Sequence, residues 1–147
     1  MTVPRFIEMW IIKTIILLAL LLYASVRDIK TREVPDSVSV MLLILGLVDT
    51  NIERLPSMII GALLVFLPQF VSALINPSKA LGGADIKISS SAAFLLGTPN
   101  GLFTLIVGLT LAVIVMPIIR KIQKLPKDQP FPLIPFLSVG IVAEYFI

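Results

Sequence analysis

The sequence contains no cysteine and no histidine, and these two absences remove much of the usual catalytic repertoire. Without thiols there is no disulfide framework and no cysteine nucleophile. Without imidazole there is no Ser-His-Asp relay and no His- or Cys-based zinc centre, so no metal site is expected. Catalysis, if there is any, falls to carboxylates. Charge is scarce as well: 14% of the 147 residues are charged against 57% hydrophobic, and the mean hydropathy is +1.03. A water-soluble domain with a polar outer face does not fit that balance. Long polar stretches are also lacking. The longest, "RKIQKLPKDQPFP", covers only residues 120–132, so residues 1–147 read as a single transmembrane domain with no separate soluble domain. Twelve Lys and Arg against nine Asp and Glu leave a small positive excess. Interspersed among apolar spans, it reads as topology and lipid contact; membrane lipids are expected partners and nucleic acid is not.

What is present is a series of apolar stretches separated by charged or Pro/Gly-bearing breaks, at roughly 6–26, 37–49, 57–75, 86–97, 101–119 and 131–146. The expected fold is all-α: a polytopic bundle of about six transmembrane helices, two of them short. The first stretch is too long, and too sparsely flanked by positive charge, for a cleaved signal peptide, and no small-residue cleavage site closes it. Lys and Arg accumulate on the cytoplasmic side of membrane proteins. Alternate connections carry Arg27, Lys30 and Arg32, then Lys79 and Lys87, then Arg120, Lys121, Lys124 and Lys127, while the other side has Arg5 and Arg54, with Lys13 ambiguous. This bias predicts a multi-pass protein of the cell membrane with both chain ends outside. Asp28 and Asp85 then share the cytoplasmic side.

The two acids have matching settings. Each follows a long apolar span and precedes a short one, and the twelve residues Ile86–Gly97 would make only about 18 Å of helix against a hydrocarbon core of about 30 Å. "GTPNG", residues 97–101, is a turn signal that stops this helix from running into its neighbour. Asp85 is therefore expected partly sunk into the membrane, beside water or a polar partner. Gly82 and Gly83 allow close backbone approach or positive φ just before it. Taken singly, Asp85 reads as a helix cap and Asp28 as a solvated loop charge. As a pair they fit one way of hydrolysing a peptide bond without metal or nucleophile, in which two close carboxylates share a proton and act as base and acid. Lys87 is read either as tuning Asp85 or as a snorkelling interfacial lysine. Glu144 is placed at the outer interface, Trp10 and Lys13 as interface anchors, and Ser89–Ser91 as helix packing or the wall of a polar cavity.

"GGADIK" at 82–87 resembles the G-x-G-D motif of the GxGD intramembrane aspartyl proteases, and its D-I-K continuation is most like the type IV prepilin peptidase family. "SVRDIKTREVPDSVS", residues 25–39, is similar to that family's first catalytic segment, with Asp28 followed seven residues later by Pro35. "FPLIPFLSVG", residues 131–140, is similar to the start of its last helix. The resemblance implies Asp28 and Asp85 as catalytic residues, supported by the motif residues Gly82, Gly83, Ala84, Lys87 and Pro35. It implies no assignment of substrate-binding residues. Ala84 departs from the motif's second glycine, a small change compatible with tight packing. Larger family members carry an N-terminal domain with Cys pairs associated with methylation. Here a handful of residues precede the first span, so a minimal, peptidase-only form is expected, resembling those of Flp-type or tight-adherence pilus systems, with no S-adenosylmethionine site and no other cofactor. The implied substrate is a prepilin or pseudopilin, cut at the cytoplasmic membrane face just before its hydrophobic helix, with Glu33, Asp36 and Asp128 as local attractors for a basic leader. The alternative from another class is a non-enzymatic membrane subunit or a cation or proton transporter using Asp28 and Asp85.

Overall fold

The computed structural model describes residues 4–78, 82–126 and 130–147. Lys79, Lys127 and Asp128, read above as loop charges, lie outside the described residues. The described residues form α1 (Arg5–Thr31), α2 (Asp36–Leu47), a 3-10 turn (Ile52–Arg54), α3 (Leu55–Ile75), α4 (Gly83–Leu96), α5 (Asn100–Gln123) and α6 (Ile134–Phe146). The expected all-helical bundle is thus what the chain adopts. Helix α1, α3 with its preceding turn, and α5 are long and apolar enough to cross a membrane. Helices α2, α4 and α6 have 12, 14 and 13 residues, or about 20 Å each. The last helix is shorter than the apolar stretch that contains it, because Pro132 has no N–H to give a helix and residues 130–133 run outside it.

Helix α1 shows how the bundle is organised. Its buried residues are Thr14, Leu17, Leu21, Ala24 and Asp28, a spacing of three and four that makes one stripe on a helix. The remaining surface, including Ile15, Leu22 and Ile29, is as apolar as the stripe and is exposed, as expected of a helix with lipid on its outer side. The central helix is α4, which packs against α2, α3, α5 and α6. Its Ser89, Ser91, Ala92 and Ala93 are buried, and small side chains of this kind let helix backbones approach closely. A Cβ on Gly101 would lie 2.6 Å from the Ala93 backbone, and one on Gly140 would lie 2.6 Å from the Thr104 carbonyl oxygen. Glycine at these two crossings is what brings α5 against α4 and α6 against α5. Helix α4 stops at Gly97, whose φ of 77° belongs to the region open to glycine, and Ser57 at the start of α3 holds the adjoining turn by hydrogen bonds with Thr98 (2.9–3.1 Å).

Helices α1 and α4 do not pack on each other; each packs on α2 and α6. One cluster of buried side chains links the four, drawing Leu17, Leu21 and Ala24 from α1, Val38 and Leu42 from α2, Ile88 and Ala92 from α4, and Ile134 and Ile141 from α6. The acid-bearing end of α1 and the acid-bearing start of α4 therefore face each other across a gap whose sides are α2 and α6.

Candidate active site

Asp28 lies in the last turn of α1 and on its inward stripe, only 6% exposed. It is not a solvated loop charge. Its Oδ2 accepts a hydrogen bond from the Ile134 N–H at 3.0 Å, the first residue of α6. The first N–H groups of a helix have no partner within it, and a carboxylate is a strong acceptor for one of them. Asp28 thus ties the end of α1 to the start of α6. Its own carbonyl receives the Arg32 N–H at 3.1 Å, which closes α1 with Arg32 in the left-handed conformation.

Asp85 is the third residue of α4 and is half-buried, and its carboxylate accepts from the backbone of Gly82, the residue that precedes the helix. The carboxylate turns back over Gly82, where an added Cβ would lie 3.1 Å from Oδ2. Gly82 has φ −59° and ψ 148°, so positive φ is not the reason for glycine here; the close approach of the acid is. Gly83 has open space around its Cα, and Ala84 packs against the main buried cluster. Pro35 stands immediately before α2 as its N-cap. The Asp28 carboxylate is near enough for its charge to act on Asp85. The two acids thus lie at one end of a largely apolar bundle, on helices that share α2 and α6 as neighbours.

Lys87 meets a partner that neither reading of the sequence had named. Its ammonium pairs with Asp36, at 2.8 and 2.9 Å, with both side chains exposed, and so fastens the first turn of α4 to the first residue of α2. Among Ser89–Ser91, the buried Ser89 exchanges hydrogen bonds with Gln69 of α3 at 3.1 and 3.3 Å, and Ser90 bonds back to the Ile86 carbonyl at 2.7 Å. Ser89 thus joins α4 to α3. Gln69, Ile134 and the pairing of Asp36 were not foreseen from the sequence; a glutamine following a proline in the middle of an apolar span was the one available signal.

Two cavities of about 500 Å³ flank the Asp28 end of α6. One is lined by Arg32, Arg120, Gln123 and the Pro130–Pro132 segment, with the Arg120 guanidinium 5.6 Å from the centre of the Phe131 ring and Arg32 donating to the Pro130 carbonyl. The other is an apolar groove between α1 and α6 along Leu18, Leu22, Val139 and Val142. It reaches Ser25 and Ser138, whose hydroxyls bond each other at 3.0 Å, and Ser25 precedes Asp28 by one helical turn. Among the described residues no group of three or more acids is placed to hold a metal ion. Glu144, Trp10 and Lys13 are far from the acid pair, at the opposite end of the bundle, where Lys13 donates to the Val48 carbonyl at 3.0 Å.

The profile of the type IV leader peptidase family matches residues 15–117, well over half of the chain, and these residues include both acids, Pro35 and the Gly82–Lys87 motif. The segment 131–140 lies beyond the match. No curated protein and no solved structure matches the chain. The match and the apolar helices lead to one assignment: the chain is a membrane protein that belongs to the type IV leader peptidase family.

Proposed function

We propose that the chain is an aspartic-type intramembrane endopeptidase that removes the leader of a prepilin or pseudopilin, with Asp28 and Asp85 as the catalytic pair. The observation that carries this reading is the placement of two carboxylates, from α1 and α4, at one end of the bundle and within reach of each other's charge, in a chain whose family cleaves leader peptides. Two acids so placed cannot both ionise cheaply and share one proton. The ionised member takes a proton from water as the water oxygen adds to the scissile carbonyl carbon, and the protonated member gives its proton to the carbonyl oxygen. Collapse of the tetrahedral intermediate breaks the C–N bond: the first acid gives its proton to the leaving amine while a hydroxyl of the gem-diol returns its proton to the second acid as the carbonyl re-forms. The pair returns to its starting state with water consumed.

The substrate is a leader joined to an apolar helix. The groove between α1 and α6 is apolar along its length and ends one turn from Asp28, which suits a helix arriving from the lipid with its scissile bond at the end of the bundle that carries Lys30, Arg32, Arg120 and Lys124. That basic end is assigned to the cytoplasm by the distribution of positive charge, and the chain to the cell membrane as a single multi-pass domain. The proposal covers hydrolysis alone and assigns no methyl transfer to the chain. The test is to incubate the purified protein in bilayers with a synthetic peptide of basic leader plus apolar helix and to map products by mass. One cut just before the apolar helix is expected; an intact peptide, or ragged cuts within the helix, would overturn the proposal.

A further inference from the structure

At the end of the bundle opposite the two acids, a cavity of about 310 Å³ opens between the start of α1, the segment joining α2 to α3, and the end of α6. Its lining includes Lys13, Arg54, Asp49 and Glu144, together with Trp10 and Tyr145. Two cations and two carboxylates thus converge on one small space. None of them pairs with another: among the described residues the salt bridge is Lys87 with Asp36, at the other end. Lys13 is held there by its bond to the Val48 carbonyl at the end of α2, where a cation is favoured by the helix dipole. Charges at a membrane boundary that are not satisfied by each other need water or a ligand.

We propose that this cavity binds the headgroup of an amine-bearing zwitterionic phospholipid, a phosphoethanolamine. The charge pattern selects it. A phosphodiester carries one negative charge and oxygen acceptors suited to Lys13 and Arg54, and a primary ammonium carries one positive charge and three N–H donors suited to Asp49 and Glu144. A phosphoglycerol headgroup leaves both carboxylates facing an anion, and a phosphocholine has no N–H to donate. The aromatic residues mark the level of lipid headgroups: Trp10 stacks on Tyr145 with centroids 6.4 Å apart, and the Tyr145 hydroxyl is fixed by the Thr14 hydroxyl at 3.4 Å. The site lies apart from the proposed catalytic pair and stands whether or not peptide cleavage is observed.

The experiment measures thermal unfolding and lipid retention by native mass spectrometry of the full chain in detergent, with ethanolamine, glycerol and choline phospholipids of identical acyl chains. At about ten times the dissociation constant, the ethanolamine lipid should raise the unfolding midpoint by about 3–5 °C and be retained over the other two. Glu144→Gln should erase the preference for ethanolamine over glycerol lipid. Arg54→Gln should weaken retention of all three, and Arg54→Lys should restore most of it, which shows that the loss is one of charge and not of folding. Equal retention of the three lipids by the unaltered chain, or an unchanged preference in Glu144→Gln, would overturn the proposal. So would an equal shift produced by soluble phosphoethanolamine, because the ligand would then not be a lipid.

Discussion

Asp28 is given two tasks here, one structural and one chemical, and replacing it by Asn and by Ala separates them. The structural task is visible: Oδ2 accepts the Ile134 N–H at 3.0 Å from a residue only 6% exposed. Asn keeps an acceptor of the same size in the same place and loses only the charge. Ala removes the acceptor and leaves a buried N–H at the start of α6 without a partner, which costs about 1–3 kcal/mol, a range that overlaps the roughly 0.5–2 kcal/mol of lost helix caps. At about 2 kcal/mol, the Asp28→Ala protein should unfold roughly 4–8 °C below the parent, and Asp28→Asn within about 2 °C of it. Leader cleavage should fall by about 10³-fold or more in both, because neither side chain can pass a proton. The assays are thermal unfolding in detergent and peptide cleavage on the same preparations. If Asp28→Ala were as stable as Asp28→Asn, the cap would not matter; if Asp28→Asn cleaved at near the parent rate, Asp28 would not be a member of the pair.

Gly82→Ala places a Cβ 3.1 Å from the Asp85 carboxylate and should slow cleavage several-fold, whereas Gly83→Ala, with open space around it, should cleave within about twofold of the parent; equal effects at the two positions would refute the reason given for glycine at 82. The Lys87–Asp36 pair is exposed on both sides, so Lys87→Ala should cost no more than about 1 kcal/mol in thermal or denaturant unfolding and leave most activity, and exchanging the two charges should recover the loss. Single cysteines introduced at positions 30 and 124 should react with an impermeant thiol reagent from the cytoplasmic side only, and one at position 54 from the opposite side only; any reversal would invert the proposed orientation.

The six helices were legible in the sequence because apolar runs broken by charge, proline and glycine leave little freedom in where a membrane helix starts and stops. The pairing of the helices was not. A soluble helix announces its inner face by polarity, but on α1 the lipid side, Ile15, Leu22 and Ile29, is as apolar as the stripe of Leu17, Leu21 and Ala24. Nothing in the spacing therefore said that Asp28 points inward. Its partner was hidden for another reason: a backbone N–H such as that of Ile134 has no signature in the side chains. Lys87 illustrates a third limit. With Asp85 two positions away the local sequence pointed to that acid, but positions two apart on a helix lie on different faces, and the ammonium meets Asp36 from another helix. The motif at 82–85 was legible as a pattern, while the cause of its first glycine, the Asp85 carboxylate turning back over it, required the structure.

The central claim is that Asp28 and Asp85 act as one unit that shares a proton. The most direct measurement is the rate of leader-peptide cleavage, across pH, by the parent, Asp28→Asn, Asp85→Asn and the double replacement, all confirmed to be inserted in the membrane. The parent should show a bell-shaped profile whose two limbs belong to the pair, falling when both acids are protonated and when both are ionised. Each single replacement should abolish cleavage, and the double should be hardly worse than either, as for residues of one catalytic assembly. Substantial cleavage by the Asp85→Asn protein, or losses that multiply in the double replacement, would contradict it.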